Sequence, residues 1–377
     1  MMLPARGGPE PCGGNHGSGR DHSPARAMRE PTAMTASPQP PSPQPPPSAN
    51  PAATPARAAP PIRIAIIGTG TIAHTQHVPV IRAHAGFELV AGVNPTPVPW
   101  WAEATGGLKL FSSMDSLIRS GMSVDAVAIC TPPATHYALA AQGLAAGWHV
   151  MLEKPPTPIL SQAMDLHRLA CAAGRTLMTS WHAACAPAID PARQILASGG
   201  VRGMRVTWRE NVRKWHPGAD WFWKPGGHGV FDAGINALSI ACAVMGEPLF
   251  VTGATLDIPA GAATPCTAQV RWATPSLPDG MEGIFDWTHR GIEVWDIAWT
   301  LGNGRRLLLS QGGGGLSLDG VAVTLRGTHE YECVYSRFER LVHDGASDID
   351  YRPVALVEDI LSAGQRRPAD PSFRILP

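Results

Sequence analysis

From residue 61 onward the chain shows two hydrophobic periods in alternation. "IRIAIIG" (62–68) is a continuous β-branched run, the pattern of a strand buried on both faces of a parallel sheet. "TIAHTQHVPVIRAH" (71–84) follows with helical spacing, and Pro79 places a bend in it. "FELVAGV" (87–93) is the next strand. After a proline-rich connection come a short strand near 108–111, a helix near 114–120, a strand at 125–131 and a helix over 134–147. "HVMLEK" (149–154) adds a strand, 159–174 a helix and "TLMTSW" (176–181) another strand. Strand and helix at such short intervals predict βαβ units in a doubly wound parallel sheet, an α/β domain over 61–183.

The texture changes after residue 184. A helix (185–198) leads to longer alternating strands at 202–210, 249–258, 267–273, 281–288, 293–302, 305–310 and 316–326. Two helices close the chain, near 330–344 and 353–365. Many strands with few helices predict a second, α+β domain over 184–377, whose large and mainly antiparallel sheet keeps one open face. The last helix is free to pack back on the first domain.

Residues 1–60 are different material. They hold 15 of the 38 prolines and almost no aliphatic periodicity, so they are expected to stay disordered or locally polyproline-like. They contain neither the apolar core of a secretory signal nor a twin-arginine pair ahead of one. A solvated tail and a proline-rich docking arm both fit this composition. Thirty acidic residues balance 30 basic ones, which argues against nucleic acid or an anionic membrane as partner. The seven cysteines are scattered without C-x-x-C spacing, which points to a reducing, cytoplasmic compartment. No apolar stretch approaches the roughly 20 residues that span a bilayer.

Chemistry enters with "GTGTIA" (68–73). Gly68 and Gly70 directly follow the first strand, and Ala73 takes the third small position of G-x-G-x-x-A at the start of a helix. The first glycine makes the turn, the second lets backbone approach a pyrophosphate, and the phosphates sit at the positive helix N-terminus. Placed between a first strand and a first helix, this loop predicts a Rossmann domain binding NAD or NADP, with Gly68, Gly70, Thr71 and Ile72 as contacts. The second strand ends in Val93-Asn94-Pro95-Thr96, with neither an acid for the ribose 2′-hydroxyl nor an arginine for a 2′-phosphate. Asn94 can bond either cofactor, so the choice stays open, and no carboxylate forbids NADP.

"GTGTIA", "CTPPATHYALAAQGLAAGWHVMLEKP" (130–155) and "GGHGVFDAGINALSIA" (226–241) together resemble the glucose–fructose oxidoreductase/inositol dehydrogenase (Gfo/Idh/MocA) family over essentially all of 62–377. "WRENVRKWHPGADWFWKPGGHGVFDAGINALSI" (208–240) resembles its bacterial aldose 1-dehydrogenase branch, which acts on D-galactose and L-arabinose. Two positions depart from that branch. Ala233 stands where proline is usual, and Thr71 replaces a longer basic residue of some members, which leaves the phosphate-side contacts in question.

The resemblance implies oxidation of a cyclic aldose at C1 to a lactone, with hydride passing to nicotinamide C4. Lys154, at the carboxyl end of a parallel strand, then accepts the O1 proton. A free lysine titrates near about 10.4, so burial and the cationic nicotinamide have to favour the neutral amine. The resemblance also implies a cis Lys154–Pro155 bond. On "EK" alone, a strand-end lysine reaching for water is the competing reading. Glu153 is expected to meet the cofactor or backbone. Asp232 and Asn236, four apart, share a helix face. Asp232 is a candidate to relay the proton with Lys154, or simply to cap the helix, and Asn236 to bind a hydroxyl. By analogy with the aldose enzymes, Glu210, His216 and Trp223 are further sugar contacts, although a tryptophan cluster is more often core. His182, at the domain junction, faces nicotinamide or substrate. Thr131, Pro132 and His136 border the cofactor channel, with His136 equally able to be a plain first-turn residue.

Histidines 74, 77 and 84 have no cysteine or acid to complete a zinc set, so no metal is expected. Two rivals share the fold: a non-catalytic NAD(P)-binding sugar sensor, and an oxidoreductase cycling a tightly held NADP between two sugars. Retention of both Lys154 and Asp232 favours an enzyme over the sensor. The resemblance further implies a homodimer or homotetramer formed through the open sheet face.

Overall fold

The computed structural model describes residues 60–215, 218–327 and 329–375. All of the proline-rich tail but its last residue, and His216, lie outside the described residues.

Six strands form the first sheet: β1 (Ile62–Ile67), β2 (Phe87–Val93), β3 (Leu110–Phe111), β4 (Ala126–Ile129), β5 (His149–Glu153) and β6 (Leu177–Ser180). Their order is β3-β2-β1-β4-β5-β6 and every pairing is parallel. Both faces are filled, so the strands read as unbroken apolar runs. Ala65, Ile67, Val127 and Ile129 face one core, while Ile64, Ile66, Ala126 and Ala128 face the other. The helices α1 (Val78–Ala83), α2 (Pro99–Thr105), α3 (Met114–Arg119), α4 (His136–Ala145) and α5 (Leu160–Ala173) make the connections. Strand order reverses between β1 and β4, which puts a ligand crevice outside the carboxyl ends of those strands.

Two local features depart from the sequence expectation. "PVPWWAEATGG" hides α2, because its prolines suggest a connection. Pro99 occupies the first helical turn, where no N–H is needed, and Gly106 ends the helix at φ +71°. Ahead of α1, residues Ala73–His77 form a π turn in which the Val78 N–H reaches back five residues to the Ala73 carbonyl. Pro79, which has no N–H to give, follows directly. The bend expected at this proline is that wider turn, and it carries His77 into the interior.

The second sheet has nine strands: β7 (Val201–Arg209), β8 (Phe250–Ile258), β9 (Thr267–Ala273), β10 (Met281–Asp286), β11 (Val294–Leu301), β12 (Arg306–Ser310), β13 (Gly315–Leu318), β14 (Val321–Ala322) and β15 (Gln365–Pro368). They run in the order β14-β13-β12-β11-β7-β10-β9-β8-β15, antiparallel except at β7/β10 and β8/β15. The single strand expected over 316–326 is a hairpin, β13 and β14, turning on Asp319-Gly320 with φ +53° and +79°. Those two positive values fit the two-residue turn that Asp-Gly favours. The remaining helices are α6 (Ile189–Gly199), α7 (Val212–Trp215), α8 (Phe231–Val244), α9 (Glu330–Asp344) and α10 (Arg352–Ala363). The last helix, α10, joins the core under the second sheet through Val354, Val357 and Ile360. It is α9 that packs on the parallel sheet, through Val334, Tyr335 and Phe338.

Candidate active site

β5 leaves the sheet at Glu153, and the following Lys154–Pro155 peptide is cis, as the resemblance implied. Successive residues of a strand point to opposite faces, and here the two charges part company. The Lys154 amine donates to the Asp232 carbonyl at 3.0 Å and lies 3.9 Å from the Asp232 carboxylate, with 17% of the lysine side chain exposed. Asp232 is buried in the first turn of α8, where a carboxylate is favoured by the helix dipole. The N-cap is Val230, one full residue before the first helical position, so Asp232 does not fill the capping role. One turn further on, Asn236 presents a buried Oδ1 that has no hydrogen-bond partner. An amine, a carboxylate and an unspent amide oxygen thus come from the end of β5 and one face of α8.

Glu153 points the other way and is buried. Its Oε1 accepts from the His77 ring at 2.9 Å and from the Tyr331 hydroxyl at 2.8 Å, and its Oε2 accepts the Lys154 backbone N–H at 3.0 Å. Burial alone would raise this carboxyl, but the His77 hydrogen bond and charge, the field of His182 and the Tyr331 hydroxyl outweigh it and hold it at about 2. The ordinary value is 4.5. The folded state therefore binds this proton more weakly than the unfolded chain does. The resulting stability is present above about pH 4.5 and is lost as pH falls through about 2, on the order of 3 kcal/mol in all. Glu153→Gln should remove that term, so chemical denaturation of parent and variant at pH 7 and near pH 3 should show a gap that narrows on acidification. A gap independent of pH would contradict the assignment.

Residues bordering the crevice hold the glycine loop in shape. Gly68 has φ +89°, and a Cβ there would meet Thr131 Cγ2 at 2.6 Å. At Gly70 a Cβ would meet nothing within 4 Å. The Asn94 Oδ1 accepts from the Thr69 N–H at 3.2 Å, and its amide nitrogen donates to the Thr96 carbonyl at 2.7 Å. Asn94 is thereby engaged in fixing the loop to the end of β2. Thr69 Oγ1 is buried without a partner, Thr71 is exposed, and Ile72 is half-buried. Open space over Gly70, an orphaned hydroxyl beside it and the start of a helix over 71–83 fit the pyrophosphate of a dinucleotide.

The remaining candidates fall into separate groups. His136 is fully buried. One ring nitrogen faces the Thr131 carbonyl at 2.7 Å, and the other faces the carbonyls of Pro155 and Pro156 at 3.1 and 3.2 Å. Burial lowers its pKa against those carbonyls. It clamps the segment after Lys154 to the turn after β4, while Pro132 beside it stays exposed. His182 pairs with Glu330 at 2.6 Å and stacks on Tyr331 at 5.4 Å between centroids. Glu210 is buried and accepts from the indole N–H groups of Trp287 at 3.0 Å and Trp295 at 2.9 Å. Trp223, also buried, packs edge-on against the same Trp287. His216 lies outside the described residues.

Sequence reasoning passed over His228, whose ring reaches the Pro158 carbonyl at 3.1 Å. Burial lowers its pKa, the carbonyl and the Asp232 charge oppose that, and Lys154 adds to it, so it sits within the field of both groups. The "GGHG" stretch was the available signal. His77, Tyr331 and Tyr335 were missed as well, since they meet Glu153 only across the fold.

Comparison with known proteins agrees with this geometry. Residues 62–180 match the family described as "Oxidoreductase family, NAD-binding Rossmann fold". The galactose 1-dehydrogenase of Pseudomonas fluorescens is 41% identical over 308 residues, 81% of this chain and 97% of that one. The crystal structure of a D-galactose-1-dehydrogenase from Rhizobium etli superposes with TM-score 0.76 at 38% identity, covering 82% of this chain and 97% of that one. A 3-ketoreductase from Actinomadura kijaniata, solved with NADP and TDP-benzene, shares the fold at TM-score 0.71 and 20% identity, covering 81% of this chain and 98% of that one. An N-terminal sheet with a dinucleotide loop, a strand ending in Glu-Lys-Pro, and 41% identity over most of both chains lead to one conclusion: the chain belongs to the Gfo/Idh/MocA oxidoreductases, a family with an NAD-binding Rossmann fold.

Proposed function

We propose that this chain is an aldose 1-dehydrogenase, oxidising D-galactose, L-arabinose or a close relative at C1 to the lactone. The observation that carries this reading is the Lys154 amine beside the buried Asp232 carboxylate at the crevice, joined to the likeness to two galactose dehydrogenases. Bound NAD or NADP supplies the hydride acceptor. Lys154 takes the proton from the O1 hydroxyl, and Asp232 fixes the amine and stabilises its charged form afterwards. Asn236 Oδ1, buried and unspent, accepts from a sugar hydroxyl, a bond worth most when the site has no other partner to offer. Glu210, His216 and Trp223 shape the sugar side, and His182 borders the nicotinamide. Gly68, Gly70, Thr71, Ile72, Asn94, Thr131 and Pro132 hold the dinucleotide, and His136 supports their turn.

Purified protein with a panel of aldoses and either cofactor tests this directly. Reduced cofactor should form with galactose or arabinose, and the lactone should follow. Cofactor binding without turnover of any aldose would overturn the proposal in favour of a sensor. Both cofactors should serve, because the β2 end bears no carboxylate and Asn94 is engaged with Thr69 and Thr96. A kcat/KM ratio beyond about 10²-fold either way would contradict that.

The exposed face of the second sheet carries Arg205, Glu282 and Arg271 around the half-buried Ile284 and Leu308. We propose that it pairs with a second copy, giving a dimer or tetramer. Light scattering that finds a monomer at micromolar concentration would sink this. We propose a cytoplasmic setting on the scattered cysteine spacing, which lacks any C-x-x-C pair.

A further inference from the structure

Three segments that are far apart in the chain meet on the Glu153 carboxylate. His77 comes from the helix opened by the glycine loop, the Lys154 N–H from the end of β5, and Tyr331 from α9 in the second half of the chain. The other His77 nitrogen meets the Tyr335 hydroxyl at 2.7 Å, one turn along α9. Tyr331 in turn stacks on His182, at an interplanar angle of 16°, while its neighbour Glu330 holds the His182 ring at 2.6 Å. These bonds span 2.6–3.0 Å and the carboxylate is buried, which strengthens them electrostatically.

We propose that Glu153 is a positioning residue, which fixes the backbone of Lys154 and, through Tyr331, the ring of His182, rather than a ligand of the cofactor. This rests on the aldose 1-dehydrogenase reading. The anion matters more than the shape. A carboxylate accepts from His77, Tyr331 and the Lys154 N–H at once. A glutamine of the same size has one acceptor oxygen and one NH₂, so either its NH₂ faces the Lys154 N–H, donor against donor, or the His77 ring and the Tyr331 hydroxyl must both turn from donor to acceptor. Either the lysine loses its anchor or the link to His77 and α9 is rearranged. Misplacement of a reacting group by a fraction of an ångström to one ångström costs up to about 10²-fold in rate without changing what binds.

The test uses Glu153→Gln and, as a milder change that removes one donor and keeps the ring, Tyr331→Phe. In Glu153→Gln, kcat for the aldose should fall by about 10- to 100-fold, and in Tyr331→Phe by about 10-fold. KM for the sugar and Kd for the cofactor should stay within about 2-fold. A cofactor Kd that rises while kcat at saturation holds would make Glu153 a cofactor ligand and overturn the proposal. A lowered melting temperature with kcat and KM at parent values would reduce it to packing, and also overturn it. If Glu153→Gln does not fold, Tyr331→Phe decides alone.

A second readout needs no turnover. Lys154 is one of four lysines in the chain. Its rate of reductive methylation, followed by mass spectrometry of the parent and both variants, should change by at least about 2-fold while Lys109, Lys214 and Lys224 keep theirs. A parent that oxidises no aldose, with Lys154 labelling still dependent on Glu153, removes the functional reading and leaves the positioning role. An active parent whose Lys154 labelling and kcat ignore both changes removes the positioning role and leaves the function.

Discussion

Alanine in place of Lys154 should lower kcat for aldose oxidation by about 10²- to 10⁴-fold, the range over which a positioned acid or base contributes. The amine lies 3.9 Å from the Asp232 carboxylate, at the end of β5. Asp232 is a poor substitute, because its carboxylate is buried in the first turn of α8. Asn236 carries no titratable group at all. The loss should therefore fall on kcat, with sugar KM and cofactor Kd shifted by less than about 10-fold, since the hydroxyl-binding and dinucleotide-binding groups are left in place. A small primary amine added to Lys154→Ala should recover part of the rate, whereas Lys154→Met, which fills the space, should not respond to it. Steady-state kinetics with and without the amine check both statements. Turnover by Lys154→Ala near the parent rate would remove the proposed chemistry.

The parts of this site that could be read from the chain are those built from neighbours in sequence. "HVMLEKP" carries its own strand, its charged end and its proline stop. "GTGTIA" carries its turn and its helix start. Alternation of runs such as "DAVAICT" with helical spacing was enough for a parallel sheet, because strands buried on both faces leave no polar residue to confuse the period. Asp-Gly at 319–320 was an equally local signal, yet the surrounding residues read as one continuous strand and concealed the hairpin. β15, "QRRP", shows no apolar pattern, since it is an exposed edge strand whose hydrogen bonds to β8 define it.

What could not be read is assembled over distance. Glu153 and Tyr331 are 178 residues apart, and nothing near either announces the other. His77 looked like one of three histidines on a helix. It faces inward because the π turn before Pro79 rotates it there, a displacement that ideal helical spacing does not include. Glu153 was expected to meet the cofactor or backbone; its Oε2 accepts the Lys154 backbone N–H, while the partners from α9 and the glycine-loop helix that make its burial tolerable lie far off in the chain. Trp223 and Glu210 show the opposite case. Their residue types suit a sugar, and in the fold they also complete an indole cluster with Trp287.

Two glycines two residues apart should respond differently to the same small change. At Gly70 an alanine adds a methyl group that touches no protein atom within 4 Å, on a backbone outside the left-handed region. The melting temperature without cofactor should stay at the parent value. Affinity for NAD and NADP should nonetheless drop by about 10²-fold, roughly 3 kcal/mol, because the added carbon stands where the pyrophosphate must approach the backbone. At Gly68 the alanine meets Thr131 Cγ2 at 2.6 Å and the Thr131 backbone nitrogen at 3.0 Å, on a residue with φ +89°. Strain and overlap together should cost roughly 2 kcal/mol or more of stability as well as binding. Thermal melting and cofactor titration of the two variants side by side separate a loop that shapes the fold from a loop that receives a ligand. If Gly70→Ala bound cofactor as the parent does, the open space above that residue would not be the phosphate site, and the dinucleotide would have to enter the crevice some other way.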